Sequence, residues 1–184
     1  MKCTALLSSD HRTILRALDL LRPVALRVNS NGPDAAADAK ILLDFFREFA
    51  DSCHHSKEET LLFPRLKEAG MRAEGGPLAV LLLEHDQGRT LLRMMAKALE
   101  GGKPSDFAIY ADRYARLLAD HIEKEDRVLF ERADSILTEN DDEQLANAFD
   151  AMEQRMGDDV HEKFHRVLLS LESKYLSMGF SKAS

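Results

Sequence analysis

The sequence predicts an all-α protein, an up-down four-helix bundle with one additional C-terminal helix. Three observations carry that expectation. Helix-forming Leu, Ala, Glu, Arg and Lys dominate a chain with few β-branched residues and no Trp. Apolar residues recur at helical spacing over long stretches. Clusters of Gly, Pro, Asn and Asp separate those stretches by short connections, which favours neighbouring helices in one bundle. For 184 residues one domain over 1–184 is expected, with the bundle at about 8–133 and a helical extension at about 142–178.

Taken in order, Ser8-Ser9-Asp10 offers capping side chains for a first helix that runs to Leu26 and breaks at Asn29-Ser30-Asn31-Gly32-Pro33. Asp34 can cap the second, which carries Ile41, Leu42, Phe45, Phe46 and Phe49 on to Leu62, with Pro64 and Gly70 ending it. A polar loop, Ala73-Glu74-Gly75-Gly76, follows. Pro77 suits the first turn of the third helix, which bears Leu81, His85, Leu92 and Met95 and stops at Gly101-Gly102. Ser105 or Asp106 caps the fourth, which passes Tyr110, Tyr114, Leu117 and His121 to about Ala133. Asn140-Asp141-Asp142 opens a last helical stretch to Tyr175, interrupted at Gly157.

The formal charge of −7 and the lack of a basic run argue against nucleic acid or an anionic membrane surface as partner. Two cysteines, Cys3 and Cys53, are too few for a disulfide framework. No apolar run is long enough to span a bilayer, and the first residues turn polar at Ser8 before a signal-peptide core could form. A cytoplasmic address is expected.

One internal repeat stands out. His54-His55-Ser56-Lys57-Glu58-Glu59-Thr60-Leu61-Leu62-Phe63 lies over His121-Ile122-Glu123-Lys124-Glu125-Asp126-Arg127-Val128-Leu129-Phe130 at a constant offset of 67 residues. His, Lys, Glu, Leu and Phe coincide. Residues four apart on a helix share a face, so His54 with Glu58, and His121 with Glu125, can reach one centre. His11 and His85 stand near the starts of the first and third helices, level in an up-down bundle with the ends of the second and fourth. Four imidazoles and two carboxylates inside apolar walls are costly to bury unless cations satisfy them. Mixed N/O ligation suits iron, manganese or zinc better than calcium or magnesium. The candidate ligands are therefore His11, His54, Glu58, His85, His121 and Glu125. Spread over two metals, they leave positions open for dioxygen, nitric oxide, peroxide or water.

With these residues in view, the chain resembles the hemerythrin-like, or HHE cation-binding, family, whose pattern is a lone His, His-x-x-x-Glu, a lone His and His-x-x-x-Glu. The resemblance covers about residues 8 to 133, and its most specific string is His-His-x-Lys-Glu-Glu-x-x-Leu-Phe-Pro, found here from His54 to Pro64. It implies a four-helix bundle holding two iron ions, Fe2+ or Fe3+, with Glu58 and Glu125 bridging them and an oxo or hydroxo bridge open to the pair. Manganese and zinc rank behind iron.

Two positions depart from the oxygen-carrying members. Those proteins place histidines four apart on the third helix, whereas Arg89 stands four after His85 here. They also end on His-x-x-x-x-Asp, a spacing that Asp126 satisfies beside Glu125; the internal repeat favours Glu125. One nitrogen ligand fewer shifts the expectation from oxygen transport to reactive or regulatory chemistry. Two classes of function remain. One is a protein that binds dioxygen, nitric oxide or peroxide, or that handles or senses iron. The other is a di-iron enzyme that decomposes peroxide or nitric oxide, or donates iron for repair. No catalytic residue is assigned.

Other candidates rank behind these six. His55 and Glu59 repeat the four-residue spacing one position later, but their counterparts in the repeat are Ile122 and Asp126. Tyr114 shares a helix face with His121 and can hydrogen-bond near the metals or pack in the core. His161-Glu162-Lys163-Phe164-His165 fits the zinc-protease string but lacks its downstream third ligand, so His161 and His165 are expected on solvent, on a packed terminal helix, or gating the site.

Overall fold

The computed structural model describes residues 1–72, 75–157 and 160–176, and among them it contains helices and no strand. Ala73 and Glu74 of the expected polar loop, and residues 177–178 of the expected extension, lie outside the described residues.

The first helix, α1 (Lys2–Asn29), begins earlier than Ser8-Ser9-Asp10 suggests. Its opening N–H groups are satisfied from a distance: the Asp142 carboxylate accepts from the backbone of Lys2 at 2.9 Å and of Cys3 at 2.8 Å. Ser8 and Asp10 are thereby free for tertiary work, Ser8 donating to Asp126 and Asp10 accepting from Lys57.

The second rod starts as α2 (Ala35–Phe45), passes through π-helical segments at Phe46–His55 and Glu58–Leu62, and finishes as α3 (Phe63–Glu68). Pro64 falls in the first turn of α3, directly after a π segment, so the rod continues past it and stops before Gly70. The third rod is α4 (Pro77–Glu100), opened by its proline and closed by Gly101 and Gly102, the latter at φ +60°. The fourth is α5 (Pro104–Lys124), a π segment at Glu125–Leu129 and α6 (Phe130–Ile136). Both copies of the repeat thus turn π-helical at their glutamate, and such segments recur at functional sites.

The remaining helices are α7 (Glu139–Met156) and α8 (Val160–Tyr175). Thr138 and Asp141 form a reciprocal capping box on α7, two residues ahead of the expected opening at Asn140.

Packing follows the rods. α1 lies against α2 and α5, and α4 lies against α5 and α2. α7 packs on α1 and the π segments, while α8 packs on α1 and α2. Arg16 grips Glu172 of α8 through two 2.8 Å bonds, and Asp38 accepts from Lys174 and Tyr175 at 2.5 Å.

The buried apolar residues separate into two clusters, one containing Ile14, Ala50, Leu92 and Leu118, the other Leu7, Leu62, Leu81 and Leu129. Along three rods the change from one cluster to the other brackets a buried histidine, His11 between Leu7 and Ile14, His54 between Ala50 and Leu62 and His85 between Leu81 and Leu92; on the fourth, His121 stands beside Ile122, the last residue of the first cluster before Leu129. A polar layer is sandwiched between two dry ones.

Candidate metal centre

In that layer the structure brings together all six residues singled out by spacing, and it adds His55. The donor atoms form two groups, each within 4.8 Å: His55, Glu58, His85 and His121, and His11, His54, Glu58 and Glu125. The carboxylates join the groups. Glu58 Oε1 lies 3.5 Å from His54 Nε2, and its Oε2 lies 3.5 Å from His85 Nε2. Glu125 Oε2 lies 3.2 Å from Nε2 of both His11 and His121. Each carboxylate thus lies beside histidines of both groups.

The imidazoles are held from behind. Nδ1 of His11 meets Asp126 at 2.9 Å, His54 meets Asp10 at 3.4 Å, His55 meets Asp51 at 3.4 Å, His85 meets Glu59 at 2.7 Å and His121 meets Glu84 at 3.0 Å. A carboxylate can only accept, so Nδ1–H donates and the Nε2 lone pair is left facing the centre. For His85 and His121 the two Nε2 atoms are 3.0 Å apart, an arrangement of facing lone pairs that only a proton or a metal ion between them relieves.

The repeat is now legible in three dimensions. Asp10 and Glu84 each precede a lone histidine, and each supports the histidine of a repeat copy, Asp10 behind His54 and Glu84 behind His121. Each also pairs with that copy's lysine, Lys57 or Lys124. Glu59 and Asp126, also equivalent, support the two lone histidines. Phe63 stacks over His85 and Phe130 over His11. Glu59 and Asp126 are thus supports on the far side of imidazoles, whereas Glu58 and Glu125 face inward and are fully buried.

His55 breaks the pseudo-symmetry. Its equivalent is Ile122, so spacing ranks it last, yet it is buried and stacks on His85 with ring centroids 3.9 Å apart. The residue ends the long π segment, where i→i+5 bonding widens the turn, and both adjacent histidines point into the core. Arg89, four residues after His85, reaches outward to Asp51 at 2.8 Å and Glu59 at 2.6 Å. It anchors the carboxylates behind His55 and His85. His55, from the neighbouring rod, adds its imidazole to the group of Glu58, His85 and His121.

The electrostatics match a cation site. Burial lowers the His54 pKa to about 4 against the pull of Asp10, and burial followed by repulsion from His85 puts His55 well below the ordinary imidazole range. Burial also works against a charged His11, but Asp126 and Glu125 prevail and hold it up at about 9. Burial and then the charge of Glu125 push Glu58 well above the usual carboxyl range. Glu125 is also opposed by burial, yet His121 and His11 keep it ionised. Without a cation, protons must be shared among groups that have no other partner. The orphaned buried atoms are Nε2 of His11, His54 and His55 and all four oxygens of Glu58 and Glu125. Among the described residues every such atom belongs to this cluster, so the donor set fits metal ions.

The remaining candidates lie elsewhere. Tyr114 is buried in the apolar layer, edge-on to Phe46 at 5.0 Å and against Gly88. His161 sits on α8 with Nε2 3.3 Å from Glu153, and Cys53 followed by Glu153 raises its pKa to about 10. His165 is exposed, and among the described residues no donor group contains both. Asp10, Asp51, Glu84 and Lys57 were not anticipated. The matching dipeptides Asp10-His11 and Glu84-His85 were a signal for two of them.

Comparison with known proteins agrees with this geometry. Residues 4–133 match the family model for the hemerythrin HHE cation binding domain. The chain is similar to the iron-sulfur cluster repair protein YtfE of Salmonella schwarzengrund, 30% identical over 131 residues, and to the protein of the same name in Escherichia coli K12, 32% identical over 132 residues. Each match takes in 67% of this chain and 59% of the relative, so the chain spans about three-fifths of these relatives. No solved structure matches the chain.

Proposed function

We propose that this chain, which belongs to the hemerythrin HHE cation-binding domain family, is a non-haem di-iron protein that binds dioxygen, nitric oxide or peroxide, or handles iron through the same pair. His55, His85 and His121 would hold one iron and His11 and His54 the other, with Glu58 and Glu125 shared between the two groups. The observation that carries this reading is the convergence of orphaned Nε2 and carboxylate atoms at the junction of two apolar clusters. When bound, the irons supply a redox-active pair with open positions, since five imidazole nitrogens and two carboxylates donate less than two octahedral ions take.

The chain's own residues determine what the pair can do. The carboxylates behind the imidazoles set ring orientation and raise nitrogen basicity. Phe63 and Phe130 press the rings from the sides, and the apolar layers keep bulk water away, restricting access to small uncharged ligands. We read α1 to α8 as one domain, because α7 and α8 pack on the bundle. No helix among the described residues is long and apolar enough to cross a membrane, and both cysteines are free and buried, which supports a cytoplasmic address. The net charge of −7 supports a function without nucleic acid.

A second reading is favoured by the named relatives: release of iron to a damaged cluster, with the pair as a store. Metal analysis of protein purified without chelators tests the shared premise, with about two irons per chain expected. Protein that stays metal-free after anaerobic loading with ferrous iron would overturn it. Stoichiometric binding of nitric oxide or dioxygen with iron retained supports the first reading; iron leaving the protein for an apo-cluster acceptor supports the second.

A further inference from the structure

We propose that Cys53, Glu153 and His161 form a third metal site, outside the paired centre, that takes a single divalent ion of the zinc(II) class. The three donor atoms lie within 4.8 Å of one another. They come from three elements, the π segment Phe46–His55, α7 and α8, and more than ninety residues separate Cys53 from the other two. His161 Nε2 is 3.3 Å from Glu153 Oε2. One thiol, one imidazole and one carboxylate make a donor set that favours zinc over hard cations, and three protein ligands leave a tetrahedral ion one position for water.

The charges around the site also suit a dication. Lys57 is buried, 1% exposed, and lies 2.7 Å from Asp10 and 2.6 Å from Glu153 Oε1. Glu153 therefore spends one oxygen on the lysine and keeps Oε2 beside His161. On binding, the Cys53 S–H bond and one N–H bond of the His161 ring break, both protons leave to solvent, and the freed sulfur and nitrogen lone pairs form the bonds to the metal. Thiolate, Asp10 and Glu153 then outweigh Lys57 by two negative charges, which a dication cancels. Entry is from the outer side, because His161 is 43% exposed while Cys53 is buried.

The site gives a role to one of the three defining residues of the His-Glu-x-x-His string. Glu162 and His165 are exposed and contribute nothing to it. An ion here would fasten α7 and α8 to the bundle. It would also touch the hydrogen-bond chain from Glu153 through Lys57 and Asp10 to His54, linking the C-terminal helices to the paired centre.

Cobalt(II) is the probe, because thiolate-bound cobalt absorbs in the near ultraviolet and cobalt held by nitrogen and oxygen alone does not. The full chain, its paired centre filled anaerobically with ferrous iron, is titrated with cobalt(II). The expected result is a thiolate-to-cobalt band that saturates at about one equivalent and is displaced by zinc(II). The band is lost in Cys53→Ser and in His161→Ala, the latter a surface change that leaves the fold intact, and is kept in Cys3→Ser and His165→Ala. No band in the unaltered protein, a band that survives His161→Ala or Cys53→Ser, or one that zinc(II) fails to displace overturns the proposal. The paired centre contains no sulfur donor, so the outcome is independent of how that centre is read.

Discussion

Asp126 Oδ1 lies 2.9 Å from Nδ1 of His11, so the carboxylate beside Glu125 supports an imidazole from behind and does not face the metal position. Its equivalent in the repeat, Glu59, has the same relation to His85. Asp126→Asn should keep the ring in place with a weaker acceptor and lower iron affinity by about 10- to 100-fold. Glu125→Ala should empty at least one position outright. Competition against a chelator measures both, and equal loss in the two variants would make Asp126 a ligand after all.

The His55 imidazole lies in one donor group with Glu58, His85 and His121. His55→Ala should therefore lower the iron content to about one per chain, whereas retention of the full complement would return His55 to a packing role. Metal analysis with Ile122→Ala as control separates a lost ligand from a loosened core, since Ile122 occupies the equivalent position without a donor atom.

Lys57 and Lys124 are equivalent in the repeat, yet one is 1% exposed and the other 44%. α7 makes the difference by placing Glu153 over Lys57. Lys57→Met leaves the buried Asp10 without its lysine and should destabilise the protein by about 3–5 kcal/mol. Lys124→Met breaks a surface pair and should cost less than about 1 kcal/mol. Urea unfolding of the two variants side by side tests the contrast.

Glu172 is held below the usual carboxylate range by its hydrogen bonds from Arg16. Its folded pKa is depressed, so its contribution is present above the unfolded value of about 4.3 and is lost as pH falls through the lower folded value. α8 should accordingly loosen on acidification below about pH 4, seen as faster amide exchange in α8 than in α5. Glu172→Gln should remove that acid-dependent step while changing stability at neutral pH by less than about 1 kcal/mol.

Much of the architecture was readable from local pattern. Pro77, Gly101-Gly102 and the periodic leucines of α4 mark that helix as written, because caps and amphipathic faces are short-range properties. The start of α1 was misplaced, because Asp142, which accepts its first N–H groups, is some 140 residues away. Pro64 likewise read as a terminator, and a π segment immediately upstream carries the rod past it.

By itself the sequence determined the inward pairs His54/Glu58 and His121/Glu125 and their match to His11 and His85, since four-residue spacing on a helix leaves no choice of face. Only the tertiary structure decided which carboxylates stand behind the imidazoles, and only it brought His55 into the cluster. Each of those outcomes depends on helix rotation within a π segment or on partners in another rod, such as Asp10 behind His54 and Glu84 behind His121. Such partners meet through packing of the apolar layers; the matching dipeptides Asp10-His11 and Glu84-His85 hint at two of them, but not at which imidazole each one reaches.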